Sequence, residues 1–429
     1  MDRAAKWRDE LFSHAQKELL PFWLDRCVDS AHGGIITHFD RDGNDTGEDE
    51  KSLIAQSRSV FSFSLAARHG WFPERSREVA RHGFQFLKER MWDEAHEGFH
   101  WTVRRNGEPI ERRKILYGHS FAIYALSEYY RATGDAEALE YAERVFELIQ
   151  MHATDLHLGG YFEMFEPDWT LSGPGAAGGD RKTLDVHMHL MEAYTGLYRA
   201  HPSDAHRRKL AEIIEILTQR MFRADTGTGI PQFTRDWQET AQIKFDIVWG
   251  WDRFSESGTK SNPMDNTSYG HNVEFAWLLL EALDALGEDL HGFDNLIEKS
   301  YGHAMRYGLD YEYGGVYVEG SHNGPATDLE KEFWQQAEVM NGMLAAYLHW
   351  GEERFLDAYE NVHDFVMNKM VHRPAGEWWP LLHPHGEPIW THMSHSWKVN
   401  YHTIRAVLRC FEWLDVINDK EKTTASLLH

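Results

Sequence analysis

His32-Gly33-Gly34-Ile35, Glu97-Gly98-Phe99-His100, Gly159-Gly160-Tyr161-Phe162, Thr228-Gly229-Ile230-Pro231, Gly314-Gly315-Val316-Tyr317 and Gly376-Glu377-Trp378-Trp379 are six versions of one short glycine–aromatic segment. With Gly34, Gly98, Gly160, Gly229, Gly315 and Gly376 as markers, the steps are 64, 62, 69, 86 and 61 residues. Such self-similarity is the signature of a repeat architecture. The segments run on into tight-turn chemistry, as at Asp42-Gly43, Asn106-Gly107, Asn323-Gly324 and His385-Gly386. Asn-Gly and Asp-Gly steps are hairpin signals.

Between the hairpins, apolar residues follow helical spacing. In 114–133, Phe121, Ala125 and Leu126 fall on one side, as in a packed helix. A second helix follows over 135–151, and the same pairing recurs at 51–70 with 75–91, 183–200 with 203–222, 270–287 with 289–307 and 329–350 with 352–370. One helix over 3–28 opens the series and one over about 397–416 closes it. An open solenoid shows polar caps at its ends. Here the terminal helices carry Leu11, Leu19, Leu20, Phe22 and Trp23, and Val407, Leu408, Cys410, Phe411 and Leu414. Each set needs a neighbour, so the pattern predicts an all-α fold closed into an (α/α)6 barrel of twelve helices, with short β-hairpins at one end. Residues 1–419 are expected to form a single catalytic domain and 420–429 a polar tail. The long fourth step holds an insertion at 240–268, rich in Gly, Ser, Asn and Asp, and a loop of that length is more often functional than core.

A formal net charge of −24 argues against nucleic acid and anionic membrane as partners. Cys27 and Cys410 are the two cysteines, so neither a disulfide framework nor a cysteine metal site is implied. The charged amphipathic start does not read as a signal peptide, and no apolar run approaches the roughly 20 residues of a membrane span. The expectation is a soluble cytoplasmic protein, a monomer or homodimer.

In a toroid the helix after each hairpin lines the centre. Polar residues gather near the starts of those helices: Arg58; Tyr117 and His119; His187, His189 and Glu192; His271 and Glu274; Trp334, Gln336 and Glu338; Trp397, Lys398, His402 and Arg405. They are expected at one mouth. His189–Glu192 and His271–Glu274 stand at i,i+3, on one helix face, where a carboxylate can orient an imidazole and raise its basicity. Histidine is the side chain best matched to proton transfer at neutral pH. A metal site is the rival chemistry, since His and Glu at i,i+3 can ligate, but the order is His-x-x-Glu and no HExxH occurs. Trp334 and Trp397 adjoin the polar set, and an indole face suits a sugar ring whose hydroxyls need polar partners.

The segments Tyr117-Gly-His-Ser-Phe-Ala-Ile-Tyr-Ala-Leu-Ser-Glu128, His187-Met-His-Leu-Met-Glu-Ala-Tyr194, Gly270-His-Asn-Val-Glu-Phe-Ala-Trp-Leu-Leu-Leu-Glu-Ala282, Trp334-Gln-Gln-Ala-Glu338 and Trp397-Lys-Val-Asn-Tyr-His402 resemble the N-acylglucosamine 2-epimerase superfamily, and within it the cellobiose 2-epimerases. The resemblance runs collinearly over nearly the whole chain. It implies an (α/α)6 barrel acting on free reducing sugars without metal or other cofactor. It implies His271 and His402 as the acid/base pair, His189 acting on oxygens near C1, and Arg58 holding the carbonyl or enediolate oxygen. Tyr117, His119, His187, Glu274, Trp334, Glu338 and Trp397 would shape or orient the site. Two departures point toward a monosaccharide: His119 where the cellobiose enzymes carry Gln, and the insertion with Trp249, Trp251, Asp252 and Arg253, which would cover the mouth.

The chemistry needs an opened sugar ring, a base to remove the C2 proton and donors where charge develops on the enediolate oxygen. Return of a proton to the opposite face of C2 gives the epimer and requires two bases. Delivery to C1 gives the ketose, for which one base suffices. A glycoside hydrolase would instead use a carboxylate pair, and a non-catalytic sugar-binding protein would be expected to lose a catalytic histidine.

Overall fold

The computed structural model describes residues 3–243, 245–247 and 264–427, with side chains described as far as Asp419. Trp249, Trp251, Asp252 and Arg253 lie outside the described residues, and with them the expectation that the insertion covers the mouth. The twelve barrel helices among the described residues are, in chain order, α1 (Arg3–His14, continued beyond a π-helical stretch by the short helix Leu20–Leu24), α2 (Leu53–Arg68), α3 (Pro73–Phe86), α4 (Leu116–Thr133), α5 (Ala136–Leu148), α6 (Leu184–Ala200), α7 (Asp204–Ile216), α8 (Tyr269–Leu286), α9 (Asp294–His303), α10 (Phe333–Trp350), α11 (Glu353–Phe365) and α12 (Tyr401–Leu427). None is long and apolar enough to cross a membrane.

The even-numbered helices form the inner ring and pack in succession; α12 packs on α10, returns to α2 and is backed by α1, which closes the (α/α)6 barrel. Sequence character assigns the layers. Helix α2 is buried continuously from Leu53 to Ala67, polar positions included, because Ser57, Ser59, Ser62 and Ser64 are small enough to sit between helices. A helix buried all round belongs inside; the outer helices are amphipathic. Helix α3, for instance, buries Val79, Ala80, Phe84 and Phe86 while Glu74 and Arg75 face solvent. Ser52, Thr183 and Ser268 cap α2, α6 and α8 by accepting the N–H of Ala55, Val186 and His271.

Five outer helices end in a five-residue π-helical stretch, Leu87–Met91, Ile149–Ala153, Leu217–Met221, Ala304–Gly308 and Val366–Met370, and on the first the equivalent stretch Ala15–Leu19 runs on into Leu20–Leu24. The chain then turns through the glycine segment toward a short strand entering the next inner helix. Those strands stitch neighbouring repeats together. Glu50–Ser52 pairs antiparallel with Thr102–Arg104, Lys114–Ile115 with Met164–Phe165, Arg181–Thr183 with Gln232–Thr234, Thr267–Ser268 with Glu319–Gly320, and Lys331–Glu332 with Leu381–Leu382. The bridge between Phe39 and Ser394 completes the circle. All six hairpins therefore lie at one mouth.

Two side-chain devices recur at this mouth. Lys51, Lys114, Lys182 and Lys331 reach back to Asp29, Asp93, Asp155 and Asp310 at 2.9, 2.8, 2.9 and 2.7 Å, all buried. Burial would raise each Asp, but the ammonium and the turn N–H groups outweigh it and hold the carboxyls below their ordinary value. One turn into the inner helix, a polar side chain satisfies the backbone beside the glycine. Gln56 accepts from Ile35 N–H at 2.9 Å, His119 Nε2 from Phe99 at 3.0 Å, His187 Nε2 from Tyr161 at 3.1 Å, Asn272 from Gly229 at 2.8 Å and Gln336 from Val316 at 2.8 Å.

Two readings change. The bridges Phe222–Gly229 and Val371–Trp378 match Val28–Ile35 and Trp92–Phe99, so Thr228 and Glu377, not Gly229 and Gly376, stand where Gly34 and Gly98 stand. Helix α12 runs to Leu427, past the expected end near 416 and through most of 420–429; that stretch contains no Gly or Pro to stop it, and Ile417 is buried.

Candidate active site

The backbone clamp residues set a common register. Two positions further along the inner helices stand Arg58, Phe121, His189, Glu274 and Glu338, and Arg405 takes the same place on α12, two beyond Thr403, whose hydroxyl contacts Glu377. All six are buried. His271 and His402 are equivalent to each other, one position before the clamp on α8 and α12.

Arg405 is the hub. Its guanidinium bonds Glu338 at 2.7 Å and Glu274 at 3.1 Å, and it also pairs with Glu192. Tyr401 Oη donates to Glu192 at 2.6 Å, and His189 Nδ1 lies 2.9 Å from the same carboxylate. One cation cannot balance three buried carboxylates, and like charges push their titrations apart. Burial and the charge of Glu338 hold Glu274 well above the usual carboxylate range. Burial works the same way on Glu338 and Glu192, but Arg405 and the adjoining imidazoles outweigh it and keep both ionised. Glu274 and Glu338 each keep one buried carboxyl oxygen without a hydrogen-bond partner among the described residues.

His402 Nδ1 lies 2.6 Å from Glu338 Oε1. Burial takes this imidazole down to about 3 against the opposing pull of Glu338, so it is neutral near pH 7. With Nδ1–H given to the carboxylate, Nε2 carries the lone pair of a base. His271 Nδ1 is 3.5 Å from Asp185 Oδ1, and burial likewise lowers His271 below its ordinary value. Trp334 stands between the two, its ring centroid 4.5 Å from His271 and 5.8 Å from His402. On the other side Arg58 donates to Tyr117 Oη at 3.0 Å and to the Trp397 carbonyl at 3.1 Å. Tyr117 stacks on Trp397 at 5.3 Å and meets His189 edge-on at 5.2 Å. The contacts run unbroken from Arg58 through Tyr117, His189, Glu192, Arg405, Glu338, His402 and Trp334 to His271 and Asp185.

The structure thus brings together Arg58, Tyr117, His189, His271, Glu274, Trp334, Glu338, Trp397 and His402. It does not bring His119 and His187 into that chain. The Nδ1 of each donates to a backbone carbonyl, Ile115 and Thr183 respectively at 2.8 Å, while Nε2 accepts the N–H of Phe99 or Tyr161. Both ring nitrogens are committed to the fold, and burial lowers the two imidazoles to about 3 and about 4. Gln56 and Gln336 make the same backbone contact elsewhere in the repeat. Lys398 belongs with the structural lysines, ion-paired to Glu377 at 3.4 Å.

Sequence reasoning left Arg405 without a role, read Phe121 only as a packed helix residue and passed over Tyr401 and Asp185. The signal was the offset from the clamp, which becomes readable once Thr228 and Glu377 replace the glycine markers. Glu274, Glu338 and His402 place donor atoms within 4.8 Å of one another; the positive charge these carboxylates face is the Arg405 guanidinium.

The sequence matches the N-acylglucosamine 2-epimerase (GlcNAc 2-epimerase) family over residues 34–406. It is 30% identical to the cellobiose 2-epimerase of Bacteroides fragilis over 421 residues, 95% of this chain and 98% of that one. The solved cellobiose 2-epimerase of Bacillus thermoamylovorans B4167 superposes with a TM-score of 0.85 at 28% identity, covering 95% of this chain and 99% of that chain. The D-mannose isomerase of Marinomonas mediterranea is 24% identical over 411 residues, 95% of this chain and 97% of that protein. Matched over most of its length in sequence and in fold, the chain belongs to the N-acylglucosamine 2-epimerase family.

Proposed function

We propose that this enzyme is a sugar 2-epimerase of the isomerase class, acting on free reducing aldoses by proton transfer through a cis-enediolate. The reading places it in the cytoplasm as a monomer or homodimer working without a cofactor. The observation that carries it is the matched pair of imidazoles. His271 and His402 occupy equivalent repeat positions, both flank Trp334, and each turns Nδ1 to a carboxylate. That leaves Nε2 of each as the proton-transferring atom. One histidine removes the C2 proton from one face and the other returns a proton to the opposite face. Between the two steps, negative charge on the C1 and C2 oxygens needs fixed donors, which Arg58 and Tyr117 supply on the far side of the site, while His189, its Nδ1 turned to Glu192, donates from Nε2 in its protonated form. Trp334 and Trp397 offer ring faces to the C–H surface of the sugar.

The substrate reading favours a cellobiose-type disaccharide epimerised at its reducing-end glucose, with mannose and glucose next. It rests on the similarity to cellobiose 2-epimerases and on the clamp role of His119, which removes one reason to prefer a monosaccharide. The aldose–ketose alternative is motivated by the 24% identity to a D-mannose isomerase. Proton NMR of the enzyme in D2O with cellobiose, then with D-mannose, tests both. A 2-epimer carrying deuterium at C2 supports the proposal. A ketose formed without the epimer makes the enzyme an isomerase with one working base, and cleavage of the glycosidic bond would make it a hydrolase.

A further inference from the structure

At the end of the barrel opposite the hairpins, a second group of imidazoles takes no part in the catalytic chain. His201 follows the last turn of α6, His206 lies in the first turn of α7, and Glu143 faces both from α5. Glu143 Oε1 is 2.7 Å from His201 Nδ1 and Oε2 is 3.0 Å from His206 Nε2. His206 Nδ1 lies 2.8 Å from the His201 carbonyl oxygen, which has no hydrogen to give, so Nδ1 carries the proton and donates. In the neutral ring Nε2 is then a bare lone pair, and it faces a carboxylate oxygen. Two electron pairs at 3.0 Å need a cation between them, either a proton or a metal ion.

At these hydrogen-bond distances a proton suffices, and the same side chains also present the donor set of a metal ion. A histidine that ligates through one nitrogen usually donates the other N–H to a carbonyl or carboxylate, which fixes its tautomer and rotation; His206 is held in that way. Its ring is wedged edge-on against Phe146 at 4.8 Å and its side chain is 4% exposed. The three donor atoms lie within 4.8 Å of one another. A tetrahedral centre with bonds of about 2.0–2.1 Å holds its ligands roughly 3.4 Å apart, so a small rotation of His201 completes the set. That rotation is available because the His201 side chain is 56% exposed, which also leaves an entry path and room for water as a fourth ligand. Two imidazoles and one carboxylate suit zinc-class ions, whereas calcium and magnesium prefer all-oxygen sites.

We propose that Glu143, His201 and His206 form a binding site for a zinc-class divalent ion, a structural site that ties outer helix α5 to the turn between α6 and α7. A similar trio, His291, Asp294 and His349, is less suited: its imidazoles stack at 4.6 Å and 29°, and Trp350 also approaches Asp294.

The test is titration of chelator-treated full-length protein with zinc chloride at pH 7.5, competed against a chromophoric chelator, alongside thermal melts. His201→Ala and Glu143→Gln are compared with the parent; both lie away from the catalytic chain, and His201 is exposed enough that its loss leaves the fold intact. Stoichiometry should fall by one zinc per chain in each variant. Zinc should raise the melting temperature of the parent and not that of His201→Ala, with turnover the same in both. Affinity in the parent should weaken from pH 8 to pH 6 as protons compete for the imidazoles. An unchanged stoichiometry in both variants, or no zinc bound by the parent at 100-fold excess, overturns the proposal.

Discussion

Glu338→Gln isolates what the carboxylate does for His402. The 2.6 Å contact is buried, and Glu338 also accepts from Arg405 at 2.7 Å. Gln keeps an oxygen for Nδ1–H but removes the charge that stabilises an imidazolium on the next ring. A buried hydrogen bond to a charged group contributes about 1.5–3 kcal/mol, which corresponds to about 10–150-fold in rate. The fold should survive, because the charge of Glu338 is one of the causes that hold Glu274 neutral; without it Glu274 ionises and keeps Arg405 balanced. The sign of the pH effect follows. Burial already lowers His402 and Glu338 opposes that shift, so losing Glu338 takes His402 lower still. The acid limb of kcat/KM should move down in pH, never up. Initial rates of C2 epimerisation across pH 2–9, with a thermal melt at each pH as the folding control, measure both. A kcat within twofold of the parent and an unmoved acid limb would refute the pairing as a source of catalysis.

His271→Ala should abolish epimer formation yet leave C2 hydrogen–deuterium exchange on one epimer, catalysed by His402; NMR in D2O reads this, and loss of exchange on both epimers would sink the two-base assignment. His119→Gln should retain turnover and substrate preference within a few-fold, since Gln56 and Gln336 make the same clamp. His119→Ala should lower stability by about 1–3 kcal/mol, because Phe99 N–H and the Ile115 carbonyl lose a buried partner; a substrate switch above tenfold in His119→Gln would put that residue back in the site. Asp29, Asp93, Asp155 and Asp310 are all held below their unfolded values by lysine. Their stabilisation is present above the unfolded pKa of about 3.9 and is lost as pH falls through the lower folded values. Unfolding monitored by circular dichroism should therefore steepen below about pH 4, and a melting temperature flat from pH 7 to pH 3 would contradict it.

The helix pairing was legible because hydrophobic period and turn residues are local properties, and closure was legible because apolar end helices must be covered. The inner placement of Arg58, His189, Glu274, Glu338 and His402 followed from their comparable distances to the repeat markers. His119 and His187 misled for a physical reason: a histidine at the mouth serves catalysis or a backbone clamp with the same residue type at the same offset. Only the partners of its two ring nitrogens tell these apart. Asp185 and Tyr401 were silent because nothing local distinguishes an Asp in a first helical turn or a Tyr beside a His from ordinary helix residues.

By itself, then, the amino-acid sequence determined the repeat, the closed barrel and the mouth at which the chemistry gathers, since these follow from periodicity and the burial of apolar surface. Tertiary structure alone decided that Arg405 holds three carboxylates together, that one of them is held well above the usual carboxylate range, and which histidines are committed to backbone clamps. Those properties arise between helices far apart in the chain, where burial and the nearest charges set protonation, and no local pattern encodes them.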